Sequence, residues 1–236
     1  MNIYLINILY HIISYYIMND KLARFSSVLR DKKSLMFCIF MTLLFQIIVT
    51  SLTVKVDQAH QIIDKQSWWV MGLFFIIMIA VILLLSIEAI PFHFKQLLFV
   101  IFSIIQGLLL SQLVHAIKDP EIIDTAAIAT IVNFVIMLIF GFIIVYMGID
   151  LGWMGIYLLM GLMVLLTASI IYMFSEKSKN RNKGFAGVTV LLFSIFILYD
   201  TNNILFKYEN TSTNCIRGAM DYYMDILNLF ASYLDL

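Results

Sequence analysis

Charge is what this chain has least of. Only 13% of its 236 residues are charged, while 62% are hydrophobic. A soluble domain carries about 25% charged and about 45–50% apolar residues. A single globular core cannot bury such an excess of apolar side chains, so the composition indicates an integral membrane protein. The net charge is zero, which leaves no basic surface for nucleic acid and excludes it as an expected partner.

Proline and cysteine are also scarce. The two prolines, Pro91 and Pro120, fall between apolar runs, as a set of continuous helices requires. The two cysteines, Cys38 and Cys215, lie far apart, one in a predicted span and one in a predicted loop. This separation predicts two unpaired thiols rather than a disulfide framework.

Signatures of catalysis are missing as well. The chain has no phosphate-cradling glycine loop, no HExxH zinc signature and no convincing Ser–His–Asp set. Its four histidines form no metal-ligand spacing and are expected near the membrane interfaces, where they could add pH dependence. They are His11, His60, His93 and His115. We therefore expect no enzymatic activity and no cofactor.

Long apolar runs dominate what is there. A spanning helix needs about 20 predominantly apolar residues, and seven segments satisfy this. They are Leu35–Val54, Trp68–Ile87, Leu97–Ile117, Ala126–Met147, Leu151–Phe174, Gly184–Phe206 and Gly218–Leu236. The expected fold class is an all-α, polytopic integral membrane protein with seven transmembrane helices over residues 34–236. The tight link around Asp150 predicts a hairpin between the fourth and fifth spans.

Residues 1–33 are predicted to form an N-terminal segment of a different kind. Ile3–Met18 is slightly short for a span, so an interfacial helix is favoured over an eighth span. A basic stretch follows it, from Lys21 to Lys33. Positive charge close to the first span favours a cytosolic N-terminus.

Two aspartates, Asp200 and Asp225, lie inside the last two apolar runs. A carboxylate at bilayer depth costs about 2.5–3.5 kcal/mol, so it needs a partner, a proton or a function. In antiparallel helices the two would lie at similar depth, share one proton and exchange it for a cation. Two carboxylates are too few for tight Ca²⁺ binding, so the expected metal site is transient, with Asp200 and Asp225 as its ligands.

Weaker candidates surround this pair. Asp221, one helical turn before Asp225, either extends an acidic path or lies at an ordinary surface position. Glu88 and Gln106 are auxiliary candidates, although snorkelling of Glu88 to the interface and an interhelical hydrogen bond of Gln106 are favoured. Asn133 is likewise expected in an interhelical hydrogen bond. An aspartate that only hydrogen-bonds a neighbouring helix is the structural alternative for the pair itself.

Two segments resemble the transmembrane Bax inhibitor motif family, which includes Golgi anti-apoptotic proteins and bacterial calcium-leak homologues. Phe193–Thr201 ends in Tyr-Asp-Thr like the family's sixth span, and Tyr222–Phe230 is similar to its "LYLDxxNLF" seventh span. The resemblance covers residues 33–236. It implies a central, very apolar helix enclosed by the others, with Asp200 and Asp225 as the pH-sensing pair that gates a Ca²⁺ leak. Asp221 resembles an extra acidic position of the Bax inhibitor branch.

The chain departs from the family at two places. Family members often carry Arg or Lys after the second span, whereas no basic residue occurs here before Lys95. Gln106 stands near the place where several homologues have a glutamate. A gate that exchanges an Arg–Asp contact for an Asp–Asp contact would therefore lack its arginine. Abundant Ile, Asn and Tyr are typical of an AT-rich genome, such as that of a virus or a protist.

The sequence thus predicts a pH-sensitive calcium leak channel with an anti-apoptotic role. A calcium/proton exchanger using the same carboxylates and a non-conducting membrane adaptor that binds apoptosis regulators are the alternatives. Expected partners are membrane lipid, Ca²⁺ and protons, with apoptosis-regulating membrane proteins as a further class. The expected location is the endoplasmic reticulum or Golgi membrane, of the host cell for a viral protein, as a monomer or weak oligomer.

Overall fold

Helices make up almost all of the chain that the structure describes. The computed structural model describes residues 3–60, 68–87, 89–117, 119–173 and 179–236. Seven α-helices follow one another, and a 3₁₀ turn at Gly152–Met154 precedes the fifth. The helices are α1 (Ile3–His60), α2 (Trp68–Ser86), α3 (Phe92–Ala116), α4 (Pro120–Met147), α5 (Gly155–Met173), α6 (Lys179–Phe206) and α7 (Ser212–Leu234).

Several of these helices present apolar side chains outward. Five segments are long and apolar enough to cross a membrane: Met18–Gln58, Phe92–Ala116, Pro120–Met147, Gly152–Ser169 and Lys183–Phe206. On α4, Ile128 and Ile131 are each 63% exposed. Contiguous apolar surface of this kind requires lipid rather than water around it. The expected all-α, polytopic membrane fold is confirmed.

The first helix is one unbroken element. α1 continues through residue 33, where the sequence predicts a change from the N-terminal segment to the first span. Its candidate span Met18–Gln58 has 41 residues and so measures about 60 Å at about 1.5 Å per residue. This is about twice the hydrocarbon thickness of a bilayer, so α1 extends well beyond the membrane.

The helix in the central position is α7. It contacts α1, α3, α4 and α6, and the side chains of Tyr222 and Tyr223 are wholly buried. Arg217, Asp221 and Asp225 interrupt its apolar sequence, which explains why it is not among the five apolar candidate spans. The enclosed helix that the resemblance implies is present, but it is less apolar than that resemblance suggests. Enclosure by protein makes its charges tolerable.

The link between α4 and α5 is fastened to α6. Gly148 ends α4 in a left-handed conformation with φ of 76°, which glycine adopts without steric cost. Asp150 accepts a hydrogen bond from Gly152 N–H at 2.7 Å, so it shapes the hairpin as expected. The Asn202 side chain of α6 accepts a hydrogen bond from Leu151 N–H at 2.9 Å and donates one to the carbonyl of Ile149.

The link between α6 and α7 is fastened to α1. Lys32 Nζ donates to the backbone carbonyl of Tyr208, and Asn210 Nδ2 donates to the carbonyl of Asp31 at 2.6 Å. An ion pair of 3.8 Å between Lys207 and Asp150 joins this link to the α4–α5 hairpin. We call this end of the bundle, formed by residues 31–32, 148–152 and 207–211, the loop end.

The two cysteines are joined. Cys38 of α1 and Cys215 of α7 form a disulfide with their Cα atoms 5.8 Å apart. The prediction of two unpaired thiols was therefore wrong. α1 and α7 run side by side in the same direction, which brings residues 177 positions apart in the sequence to the same level. Cys215 also lies within α7 rather than in a loop.

The disulfide can be tested by counting reactive thiols. We expect unreduced, denatured protein to show no mass shift with a polyethylene-glycol maleimide, and reduced protein to gain two additions. Because Cys215→Ser removes the covalent link between α1 and the central helix, the variant should melt several degrees lower than wild type. Cys38→Ser should behave in the same way, and two reactive thiols in unreduced wild-type protein would contradict the bond.

Candidate functional site

The two intramembrane aspartates meet between α6 and α7. Asp200 is 9% exposed and Asp225 is 4% exposed, and their carboxyl groups lie within hydrogen-bonding reach of each other. A carboxylate can only accept a hydrogen bond, so a bond between the two requires one of them to carry a proton. The structure therefore brings together the pair that the sequence analysis singled out, at one level of antiparallel neighbouring helices.

A wall of aromatic and small residues encloses the pair. Tyr222, beside both aspartates in α7, packs edge-on against Phe134 of α4 with ring centroids 5.3 Å apart. On its other side it stacks on Phe40 of α1 at 6.1 Å. α4 approaches α6 closely because Gly141 has no side chain and leaves room for Thr201. A Cβ atom added to Gly141 would lie only 2.7 Å from the Cβ of Thr201. The pair is consequently held in surroundings of low dielectric constant.

Tyr222 cannot donate a proton to the aspartates. Its hydroxyl lies 2.8 Å from Thr201 Oγ1, and Thr201 donates its own proton to the carbonyl of Ile197 at 2.7 Å. The Tyr222 hydroxyl must then be the donor to Thr201, since each hydroxyl has a single proton. A hydrogen bond between Asp200 and Asp225 would therefore use a proton of the carboxyls and not that of Tyr222.

The third acidic candidate, Asp221, lies one turn from Asp225 towards the loop end. It is half-buried and accepts a hydrogen bond of 2.7 Å from the Tyr208 hydroxyl. Burial, and to a smaller extent the charge of Asp221, raise the pKa of Tyr208, so this phenol stays a donor. The guanidinium of Arg217 lies over the Tyr208 ring, 5.3 Å from its centroid.

Arg217 supplies positive charge that the sequence analysis sought elsewhere. It is exposed at the loop end and interacts electrostatically with both Asp221 and Asp200. Its position four residues before Asp221, on the same helical face, was the available signal. Lys95, the first basic residue after the second span, is wholly buried in α3, and its Nζ has no hydrogen-bond partner among the described residues.

Gln106 and Asn133 make contacts between helices. Gln106 donates from Nε2 to the sulfur of Met224 at 3.9 Å, and Asn133 donates to Ser194 and Tyr233, each at 2.9 Å. Both residues thus make the interhelical contacts expected of them. Glu88 lies outside the described residues. In the described part of the chain, no three histidine, cysteine or acidic side chains converge as metal ligands.

A second polar seam, which the sequence analysis missed, joins α1, α3 and α7. Tyr223 lies 2.5 Å from Thr50, and Ser103 donates to the Gln46 side chain at 2.7 Å. Further along, at the opposite end from the loops, Ser111 donates to the buried Asp57 at 2.5 Å. These contacts satisfy polar groups inside the bundle, as a membrane interior demands.

Comparisons with known proteins point in one direction. Residues 32–236 match the family described as inhibitor of apoptosis-promoting Bax1. The chain is 30% identical over 121 residues to Protein LIFEGUARD 1 of Arabidopsis thaliana, covering 50% of each protein. It is 27% identical over 204 residues to Bax inhibitor 1 of Schizosaccharomyces pombe, covering 84% of this chain and 73% of the relative. An uncharacterized membrane protein of Vibrio cholerae is 34% identical over 87 residues, 37% of each chain. The chain thus matches about half the length of the first of these relatives.

The shared proton can be tested through stability. Asparagine at position 225 can donate a hydrogen bond to Asp200 without titrating. Wild-type thermal stability should fall as the pH rises and the shared proton is lost, because two buried negative charges then face each other. Asp225→Asn should lose most of this pH dependence in melting curves recorded from acidic to alkaline pH. Asp124→Asn, at the exposed start of α4, should keep it, and equal pH profiles for Asp225→Asn and wild type would contradict the shared proton.

The contribution of the contact between Tyr208 and Asp221 can be measured by removing a single hydroxyl group. Tyr208→Phe keeps the ring beneath Arg217 and removes only the hydroxyl donor to Asp221. Leaving a half-buried carboxylate without this donor should lower the free energy of unfolding by about 1–2 kcal/mol, measured by thermal or SDS-induced unfolding. Tyr157→Phe, on a side chain that is 64% exposed, should change nothing. Equal stability of wild type and Tyr208→Phe would show that the contact contributes nothing.

Proposed function

The chain belongs to the family of inhibitors of apoptosis-promoting Bax1, and from that premise we propose that it suppresses cell death by leaking Ca²⁺ from an intracellular store under the control of pH. The family match covers the whole helical bundle from residue 32 onward, including both helices of the aspartate pair. The similarity to Bax inhibitor 1 of Schizosaccharomyces pombe supports the anti-apoptotic part of the proposal.

The close approach of the buried Asp200 and Asp225 carboxyls is the observation that carries the ion-conducting part of the proposal. The two carboxyls are buried at one level between adjacent helices, where only a hydrogen bond between them avoids direct repulsion. Oxygens of this kind suit Ca²⁺. A proton that neutralises the pair and a cation that replaces it are therefore alternative ways of satisfying the same site.

Gating follows from this competition. With the proton in place, the Asp200–Asp225 bond holds α6 against α7 and closes the path. Loss of the proton leaves two like charges in surroundings of low dielectric constant, where their repulsion is strong. The helices then separate at this level, and a cation can pass between the carboxylates.

Asp221, Tyr208 and Arg217 form the mouth of the proposed path at the loop end. Asp221 attracts cations, while its hydrogen bond to Tyr208 and the nearby charge of Arg217 oppose their passage. Arg217 also interacts electrostatically with Asp200. In this scheme Arg217 replaces the basic partner that is missing after the second span. It acts on Asp200 through space and not through a direct contact.

We place the protein in endoplasmic reticulum or Golgi membranes with its N-terminus in the cytosol. The basic residues between Lys21 and Lys33 lie before the apolar part of α1, and positive charge at the first span favours the cytosolic side. The loop end would then face the cytosol, so that Asp221 stands where Ca²⁺ leaves the store.

Reconstitution tests the proposal directly. Purified wild-type protein in liposomes should pass Ca²⁺ into a dye-filled lumen, with a flux that increases as the pH rises. Asp200→Asn and Asp225→Asn should each abolish this pH response, because neither variant can form two facing charges. The matched control Asp124→Asn, far from the pair in sequence and exposed, should conduct like wild type.

Other outcomes separate the alternatives. A fixed Ca²⁺/H⁺ stoichiometry with saturation would replace the leak by exchange. Absence of wild-type flux at every pH, with cell protection retained by both asparagine variants, would favour the non-conducting adaptor. Flux and pH profiles that are unchanged in both asparagine variants would refute the gate.

A further inference from the structure

Buried side-chain atoms without a hydrogen-bond partner are rare in the described part of the chain. There are three: Lys95 Nζ, Asn203 Oδ1 and Asp225 Oδ2. Two of them are oxygens, one on α6 and one on α7, the two helices that carry the aspartate pair. A buried acceptor without a donor is costly and needs a physical explanation.

The position of Asn203 follows from helix geometry. It lies three residues after Asp200 in α6, so the two share a helical face, with Asn203 one turn nearer the loop end. The next residue, Ile204, packs at the level of Gly218 in α7, because a Cβ atom added to Gly218 would lie 3.3 Å from Ile204 Cδ1. Asn203 therefore lies between the levels of Gly218 and Asp225 along the bundle. It is 8% exposed.

A positively charged occupant would explain both oxygens at once. When the proton of the pair lies between Asp200 and Asp225, or has been lost, Asn203 Oδ1 and Asp225 Oδ2 are both acceptors, so they can be satisfied by a donor or a cation and not by each other. Amide and carboxylate oxygens are hard ligands of the kind Ca²⁺ uses. Since no third acidic, histidine or cysteine side chain converges here among the described residues, a neutral oxygen is the available additional ligand.

We propose that Asn203 provides a neutral oxygen ligand to a transient divalent-cation site completed by the carboxylates of Asp200 and Asp225. The site deepens the proposed function and rests on it for its physiological meaning, whereas cation binding itself can be measured without any flux. Three protein ligands are about half of the six to eight oxygens that Ca²⁺ takes. Water must supply the others, so the ion binds weakly enough to leave again.

Asn203→Leu is a sharp test because stability and binding should move in different directions. Leucine has a similar branched shape and removes the unsatisfied oxygen, so the variant should melt at the wild-type temperature or above it. Binding of Tb³⁺ to the purified full-length protein, followed by tyrosine-sensitised luminescence and reversed by Ca²⁺, should need about tenfold more Tb³⁺ for half-saturation, as expected for the loss of one ligand. Asn203→Asp retains an oxygen at this position and should restore binding.

Asn133→Leu is the matched control. Asn133 is half-buried in the same bundle but donates two hydrogen bonds, to Ser194 and Tyr233. Its replacement should lower the melting temperature and leave Tb³⁺ binding unchanged. A merely structural role of Asn203 would give this same pattern and would overturn the proposal.

The remaining outcomes are equally distinct. If Asn203→Leu and wild type need the same Tb³⁺ concentration for half-saturation, the proposal is overturned and water is the occupant. This holds even where wild-type Ca²⁺ flux persists. A Tb³⁺ signal that does not respond to Asp225→Asn also overturns it, because the ion is then bound elsewhere. Weakened Tb³⁺ binding in Asn203→Leu, together with an absence of Ca²⁺ flux in wild type, supports the cation site while the proposed leak fails.

Discussion

Two buried carboxyl groups, Asp200 and Asp225, meet between α6 and α7, and a membrane interior requires that their charge be neutralised or shielded. Asp200 and Asp225 can lie within hydrogen-bonding reach only while one of them is protonated. Tyr222 packs beside the pair but donates no hydrogen bond to it, because its hydroxyl donates to Thr201. The charges of Asp221 and, to a smaller extent, Arg217 act on Asp200 through space.

The lipid environment explains why the bundle is organised around its least apolar long helix. Five segments present apolar surfaces suited to a bilayer, while α7 carries Arg217, Asp221 and Asp225 and is surrounded by α1, α3, α4 and α6. A polar helix is tolerated inside a membrane only when neighbouring helices satisfy or shield its charges. The disulfide from Cys38 to Cys215 adds a covalent tie between this central helix and α1.

The parts of the site that follow local patterns were predictable. Apolar run length gave the helices, and a charge within such a run identified Asp200 and Asp225 because no local feature accounts for it. Arg217 could have been found from its four-residue spacing to Asp221. The unpartnered oxygen of Asn203 could not have been found in this way, because Asn202 and Asn203 are the same residue type side by side in the sequence. In the fold, Asn202 binds the backbone of the α4–α5 hairpin, whereas Asn203 Oδ1 is buried without a partner.

By itself, the sequence determined that the chain is a multi-pass membrane protein, where its long apolar runs lie, and which two carboxyls carry an unusual energetic cost. These properties depend on composition, run length and spacing, which act over one or two helical turns. Tertiary structure decided that α1 and α7 run in parallel, so that Cys38 meets Cys215. It also decided that α7 is enclosed and that Tyr208 of the loop reaches Asp221. The physical reason is that residues far apart in the chain become neighbours only through helix packing, which no local pattern encodes.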